Sequence, residues 1–228
     1  MNTTDVKHSL PADIERTSMS IIEKELQERG IVIPKENAAI VRRVIHTTAD
    51  FDYAENLRFT KDAVGMVLPT LEAGDAVIIT DTNMALSGIS KPSLKKLGAE
   101  AFCFMADPVI AEQAKEQGST RAVASMEYGA ALYPKAVFAV GNAPTALLKL
   151  EELIETGLRP SLIIGVPVGF VNVVESKERI FAVCEKYDIP AIVAFGRKGG
   201  SNVAAAITNA LLYTAADTLD PAKRGWQG

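Results

Sequence analysis

The sequence predicts an α/β protein: a Rossmann-like three-layer fold with a mainly parallel sheet of about five strands, preceded by an N-terminal helical segment. Three observations carry that reading. After Gly74, five short apolar runs recur at residues 76–80, 101–105, 136–140, 161–166 and 191–195, mostly rich in Val, Ile or Phe, the texture of strands buried on both faces. Helical patterns with end signals separate most of them, so crossovers that would join parallel strands are available. Residues 1–73 carry apolar positions at helical spacing.

The N-terminal segment is read first. Residues 1–10 are polar and are expected to be loosely held. From 11 to 29, Ile14, Ile21, Ile22 and Leu26 recur at helical spacing, and Gly30 supplies a stop. Ser18 falls between Ile14 and Ile22, each four residues away, so a hydroxyl occupies a core-like position. It either bonds back to its own helix or contacts a ligand. A second helix, about 35–48, carries Ile40, Val41, Val44 and Ile45 on its apolar side, with Arg42 or Arg43 one turn before His46. A third helix is expected over 59–71, with Gly65 tolerated and Pro69 ending or kinking it.

The alternating part follows. Asp107 before Pro108 opens one helix, Pro144 opens another that Gly157 closes, and Ser201 or Asn202 starts the last. With 228 residues and 48% hydrophobic content, the chain suits one α/β domain over 1–228, a helical segment 1–73 packed on an alternating core 74–228. A net charge of -4 gives no footprint for nucleic acid or an anionic membrane. No membrane span or signal peptide is expected, and a cytoplasmic location follows. Cys103 and Cys184 fall on apolar faces and read as buried thiols, without metal-ligand spacing.

In open parallel sheets ligands bind beyond the carboxyl ends of the strands. Those ends hold Asp81, Thr82 and Asn83; Asp107 and Pro108; Gly141 through Thr145; Pro167 through Phe170; and Gly196, Arg197, Lys198, Gly199, Gly200 and Ser201. The last group suits an anion: glycines admit close approach, a helix N-terminus offers free amides, and two cations lie beside it. A tight strand-to-helix turn is the alternative. There is no Walker A sequence, dinucleotide fingerprint or nucleophile elbow. Only two histidines are present, and His8 lies in the polar lead, so His46 is the imidazole placed to exchange a proton near neutral pH. A solvated or structural histidine is the alternative. A neighbouring Arg would lower its pKa while a helix C-terminus would raise it, which leaves its charge open.

Taken together, these residues resemble the precorrin-8X methylmutase family of cobalamin biosynthesis. The resemblance spans most of the chain: Ser18 with Ile21 and Ile22; Arg43 through His46; Asp81 through Met84 with Gly88; Thr120 with Arg121; Gly141 through Leu147; Gly165 through Phe170 with Glu175, Ser176 and Lys177; and Gly196 through Ser201. It implies an isomerase that moves one methyl group from the alpha carbon of pyrrole ring C to the neighbouring beta carbon. Precorrin-8X would become hydrogenobyrinate, or a cobalt-carrying precursor cobyrinate. The resemblance gives His46 the role of protonating or hydrogen-bonding the macrocycle, makes Ser18 and Arg43 substrate-binding, and implies a homodimer.

A corrinoid is a broad apolar ring fringed with carboxylates, so its pocket needs apolar walls and donors along the rim. Ser18, Arg43, Asn83, Arg121, Arg197, Lys198, Gly199, Gly200 and Ser201 are the candidates. Arg121 could instead cap a helix or pair with an acid. No cofactor is expected, and any cobalt should arrive with the substrate. A non-catalytic corrinoid carrier and a nucleotide or sugar-phosphate enzyme remain the competing functions. The small residues Ala204, Ala205, Ala206 and Ala210 fit either a dimer contact or packing on the chain's own sheet.

Overall fold

The computed structural model describes residues 11–224. Its elements are Pro11–Glu28 (α1), Ala38–Thr48 (α2), Tyr53–Asn56 (α3), Leu57–Phe59 (β1), Ala63–Glu72 (α4), Val77–Thr80 (β2), Asn83–Gly88 (α5) and Lys91–Leu97 (α6). Then come Glu100–Phe102 (β3), Pro108–Glu116 (α7), Arg121–Leu132 (α8), Val137–Val140 (β4), Pro144–Glu155 (α9), Leu162–Gly165 (β5), Val173–Lys186 (α10), Ala191–Ala194 (β6) and Ser201–Ala215 (α11). A 3-10 turn, Pro221–Arg224, follows. Residues 1–10, with His8 and the expected loose lead, lie outside the described residues.

One sheet holds all six strands in the order β1-β6-β5-β4-β2-β3. The five strands from β2 to β6 pair in parallel, whereas β1 pairs antiparallel with β6, Leu57 opposite Ala194. The expected count of about five strands is thus corrected to six, and the N-terminal segment contributes a strand of its own. The helix expected over 59–71 is corrected as well: Phe59 ends β1, and the helix starts only at Ala63, after Asp62 turns at φ +51°. A three-residue strand is too short to show alternation. Its pairing is extended by Thr60, whose N–H donates to the Ala191 carbonyl at 3.0 Å while its hydroxyl accepts from Ala191 N at 2.8 Å. Pro69 does not end α4, which runs on to Glu72.

The strands sort their side chains by the two-residue period. Ile78, Val137, Ala139, Leu162, Ile164 and Ile192 enter one core with α2, α4 and α11, and Ile79, Phe138, Val140, Ile163 and Val193 enter a second with α8, α9 and α10. Helices therefore cover both faces. In α11, Ala204, Ala206 and Ala210 belong to the first core, which favours packing on the chain's own sheet for these small residues. Cys184 is buried, but Cys103 is only partly so, because the edge strand β3 leaves it less covered. No helix among the described residues is long and apolar enough to cross a membrane.

Candidate active site

His46 stands in the last turn of α2, which closes at Ala49 in the left-handed region (φ +54°) with the Ala49 N–H donating to Ile45 O. Val44 and Ile45 are buried and lock the helix down, while His46 is half-buried and opens onto a cavity of about 680 Å³ between α1 and α2. Ser18 of α1 reaches across: its Oγ lies 2.7 Å from His46 Nδ1. The hydroxyl therefore bonds to the imidazole and not back to its own helix. Ile14 and Ile21, expected to be core, are each 58% exposed and line the cavity with Phe51, so they form its apolar wall.

Beneath this pair lies an ion cluster. Glu15, buried on α1, accepts from Arg43 of α2, and it also accepts from both terminal nitrogens of Arg224 in the 3-10 turn, at 2.9 and 2.7 Å. Both guanidiniums lie over the Tyr213 ring, at 5.2 and 4.2 Å. Although burial opposes ionisation of Glu15, hydrogen bonds from Arg224 and Arg43 outweigh it and bring the carboxyl down to about 2. His46 is held below its ordinary value, first by burial and then by the Arg43 charge; Glu15 works the other way and Arg224 adds to the lowering. The imidazole at rest is thus biased toward neutrality.

The loops at the strand ends are tied to one another and to the end of α2. Asp81, fully buried after β2, accepts the N–H groups of Gly141, Asn142 and Ala143, each at 2.8 Å, which pins the loop after β4 to the end of β2. Burial raises the Asp81 carboxyl pKa, and these three donors only partly offset that. Gly141 packs on Gly200 and Ser201 so closely that a Cβ would meet Ser201 Cα at 2.7 Å. Ser201 Oγ lies 2.8 Å from Thr82 Oγ1, which also caps α5. Lys198 ties the 196–201 loop to the end of α2, donating to Asp50 and Asp52 at 2.6 Å each.

The candidate residues therefore separate into groups. Ser18 and His46 touch, and Arg43 joins them through Glu15. Lys198 stands near the same end of α2 with its ammonium engaged by two carboxylates, which raise its pKa. Arg197 is exposed and lies over the Phe170 ring at 5.4 Å. Ser201 and Gly200 are buried at the head of α11, and Gly199 packs on the Val166 carbonyl. Asn83 is exposed at the head of α5. Arg121 is exposed in the first turn of α8, where Thr120 caps the helix, and no bond joins it to the His46 cluster.

Sequence reasoning gave no site role to Glu15, Arg29, Lys177 or Arg224. Glu15 had a signal: it shares the buried side of α1 with Ala12, Ile22 and Leu26, and a carboxylate there needs a partner. Arg29 lines the cavity and lies over Phe51 at 4.2 Å. Among the described residues, no three His, Cys, Asp or Glu side chains are grouped to hold a metal ion.

Comparison with known proteins matches this chain, over residues 13–214, to the family model CbiC, precorrin-8X methylmutase. It is 44% identical over 208 residues to the cobalt-precorrin-8 methylmutase of Salmonella typhimurium, covering 89% of this chain and 95% of that one. The relative of the same name from Leptospira interrogans is 42% identical over 210 residues, covering 90% and 94%. The precorrin-8X methylmutase of Pseudomonas aeruginosa is 36% identical, covering 87% and 93%. Among solved structures, the precorrin-8x methyl mutase of Thermus thermophilus aligns with a TM-score of 0.79 at 39% identity, covering 90% of this chain and 98% of that one.

Proposed function

The chain belongs to the precorrin-8X methylmutase family, and from that premise we propose how its own residues carry the reaction. It is an isomerase of cobalamin biosynthesis. The substrate is precorrin-8X or its cobalt counterpart, and a methyl group leaves the alpha carbon of ring C as it bonds to the adjacent beta carbon. Reactant and product are isomers, so any proton lent to the macrocycle must return. His46 is the group that lends it. The observation carrying this is the Ser18–His46 hydrogen bond at the mouth of an apolar-walled cavity. While the ring is neutral, the Ser18 hydroxyl donates to Nδ1 and Nε2–H offers the macrocycle only a hydrogen bond; once the ring is protonated, Nδ1–H donates to Ser18 Oγ and the imidazolium lends its Nε2 proton and takes it back. Arg43 tunes and holds this imidazole, while Arg197, Lys198, Asn83 and the 196–201 backbone serve the carboxylate rim. Arg121 is an outer contact at most.

The Rossmann-like reading is supported by the parallel order β3-β2-β4-β5-β6, which reverses beside β2, where open α/β sheets bind ligands. A cytoplasmic location is supported by two free cysteines. The homodimer is supported by Phe170 and Val171, which are 83% and 76% exposed beside the strand ends. Sedimentation should give twice the chain mass, and a concentration-independent monomer would remove the dimer.

The test is anaerobic visible spectroscopy with precorrin-8X and then its cobalt counterpart. A spectrum shifting to the rearranged macrocycle with either supports the assignment, whereas product binding without turnover returns the carrier reading. Arg197→Ala should weaken product affinity about two- to fivefold, the range for an exposed cation on a carboxylate rim. An unchanged titration would place that side chain in solvent.

A further inference from the structure

We infer that Lys177 is a positioning residue for the reaction: its buried ammonium turns the 196–199 backbone so that three consecutive N–H groups face outward as a nest for a carboxylate of the macrocycle. The inference rests on the tetrapyrrole reading above.

Lys177 lies in α10 and is fully buried. Among the described residues no carboxylate meets it; its Nζ donates to the carbonyls of Gly196 at 2.9 Å and Lys198 at 2.8 Å. The carbonyl between them, that of Arg197, accepts from the Gly169 N–H at 3.3 Å. All three successive carbonyls are therefore engaged by the chain itself, the outer two by one ammonium. In a trans peptide the C=O and the following N–H are antiparallel, and no peptide here is cis. The N–H groups of Arg197, Lys198 and Gly199 must then point the other way, and none has a partner among the described residues. An extended chain would alternate its carbonyls, so this run needs its special turns: Gly196 at φ +77° and Gly200 at φ +135°. At Gly199 a Cβ would stand 2.1 Å from the Val166 carbonyl. Successive outward amides in such a turn form a concave anion site.

The ammonium is an expensive choice for this place, since an apolar side chain would fill it without desolvating a charge. Burial brings its pKa down to about 8. What the charge adds is a cation behind the carbonyls, which fixes the peptide planes and strengthens the outward dipoles. Lys198 cannot supply this from its own side chain, which Asp50 and Asp52 engage.

The experiment compares product with its fully methyl-esterified form on wild-type protein, Lys177→Met and Lys177→Gln. Wild type should prefer the free acid. Lys177→Met should raise KM and the Kd for the free acid about tenfold, the size of a lost charge-assisted hydrogen bond. kcat should stay within about twofold, and affinity for the ester should hold. Lys177→Gln, which keeps N–H donors in place, should fall between. Equal weakening of acid and ester in whichever variant folds, or no change in either, overturns the inference. Wild type binding neither ligand would instead sink the tetrapyrrole reading, and this one with it.

Discussion

His46→Ala should cut turnover by about two to four powers of ten while product binding persists. That is the cost of removing a positioned proton donor, and no second imidazole stands among the described residues to replace it. The walls built by Ile14, Ile21 and Phe51 and the cations proposed for the rim stay in place, so affinity should survive. Sustained turnover would end the assignment. The resting imidazole is held below its ordinary pKa by burial and by Arg43. A carboxylate-fringed ring brings negative charge beside it and pushes that pKa back up, so the proton becomes available as the substrate enters. The alkaline limb of kcat, which reports the complex, should accordingly lie above that of kcat/KM, which reports the free enzyme. Coincident limbs would show that substrate charge does not reach His46.

The parallel core could be read from the sequence because each of its strands is an apolar run between helix end signals. Leu57–Phe59 escaped because three residues, one of them Arg58, have no period to display, and only pairing with β6 makes them a strand. The site divides along similar lines. Ser18 stood out as a hydroxyl on an apolar helix face and His46 as the one imidazole outside the polar lead, and the structure joins them in one hydrogen bond. Arg43 stood out too, but its partner Glu15 is 28 residues away and the other arm of the cluster, Arg224, is 209 residues from Glu15. No local spacing encodes such contacts. The same holds for Lys177, whose acceptors lie 19 and 21 residues on, and whose role depends on which way three peptide planes turn.

Glu15→Gln should be the most destabilising of the substitutions considered. The buried carboxylate stands between Arg43 and Arg224, whose side chains are 12% and 6% exposed. Taking away its charge leaves two guanidiniums beside Tyr213 without the counter-charge they share, and breaking a buried pair in this way costs about 3–5 kcal/mol. Acid behaviour provides an independent check. The Glu15 carboxyl sits at about 2 in the folded protein against an ordinary 4.5, so the unfolded chain takes up the proton first. Its stabilisation is present in full above the ordinary value and is lost as pH falls from there through about 2. The shift corresponds to at most about 3 kcal/mol, less where solvent screens Arg43. Denaturant titrations at pH 7 and pH 3 should show wild type losing about 2 kcal/mol more than Glu15→Gln over that interval. Parallel losses in both proteins would mean that the cluster contributes nothing to the acid limb. In that case the two arginines bind Glu15 without stabilising the fold, and His46 would have to be held in place by the Ser18 bond and the packing of α2 alone.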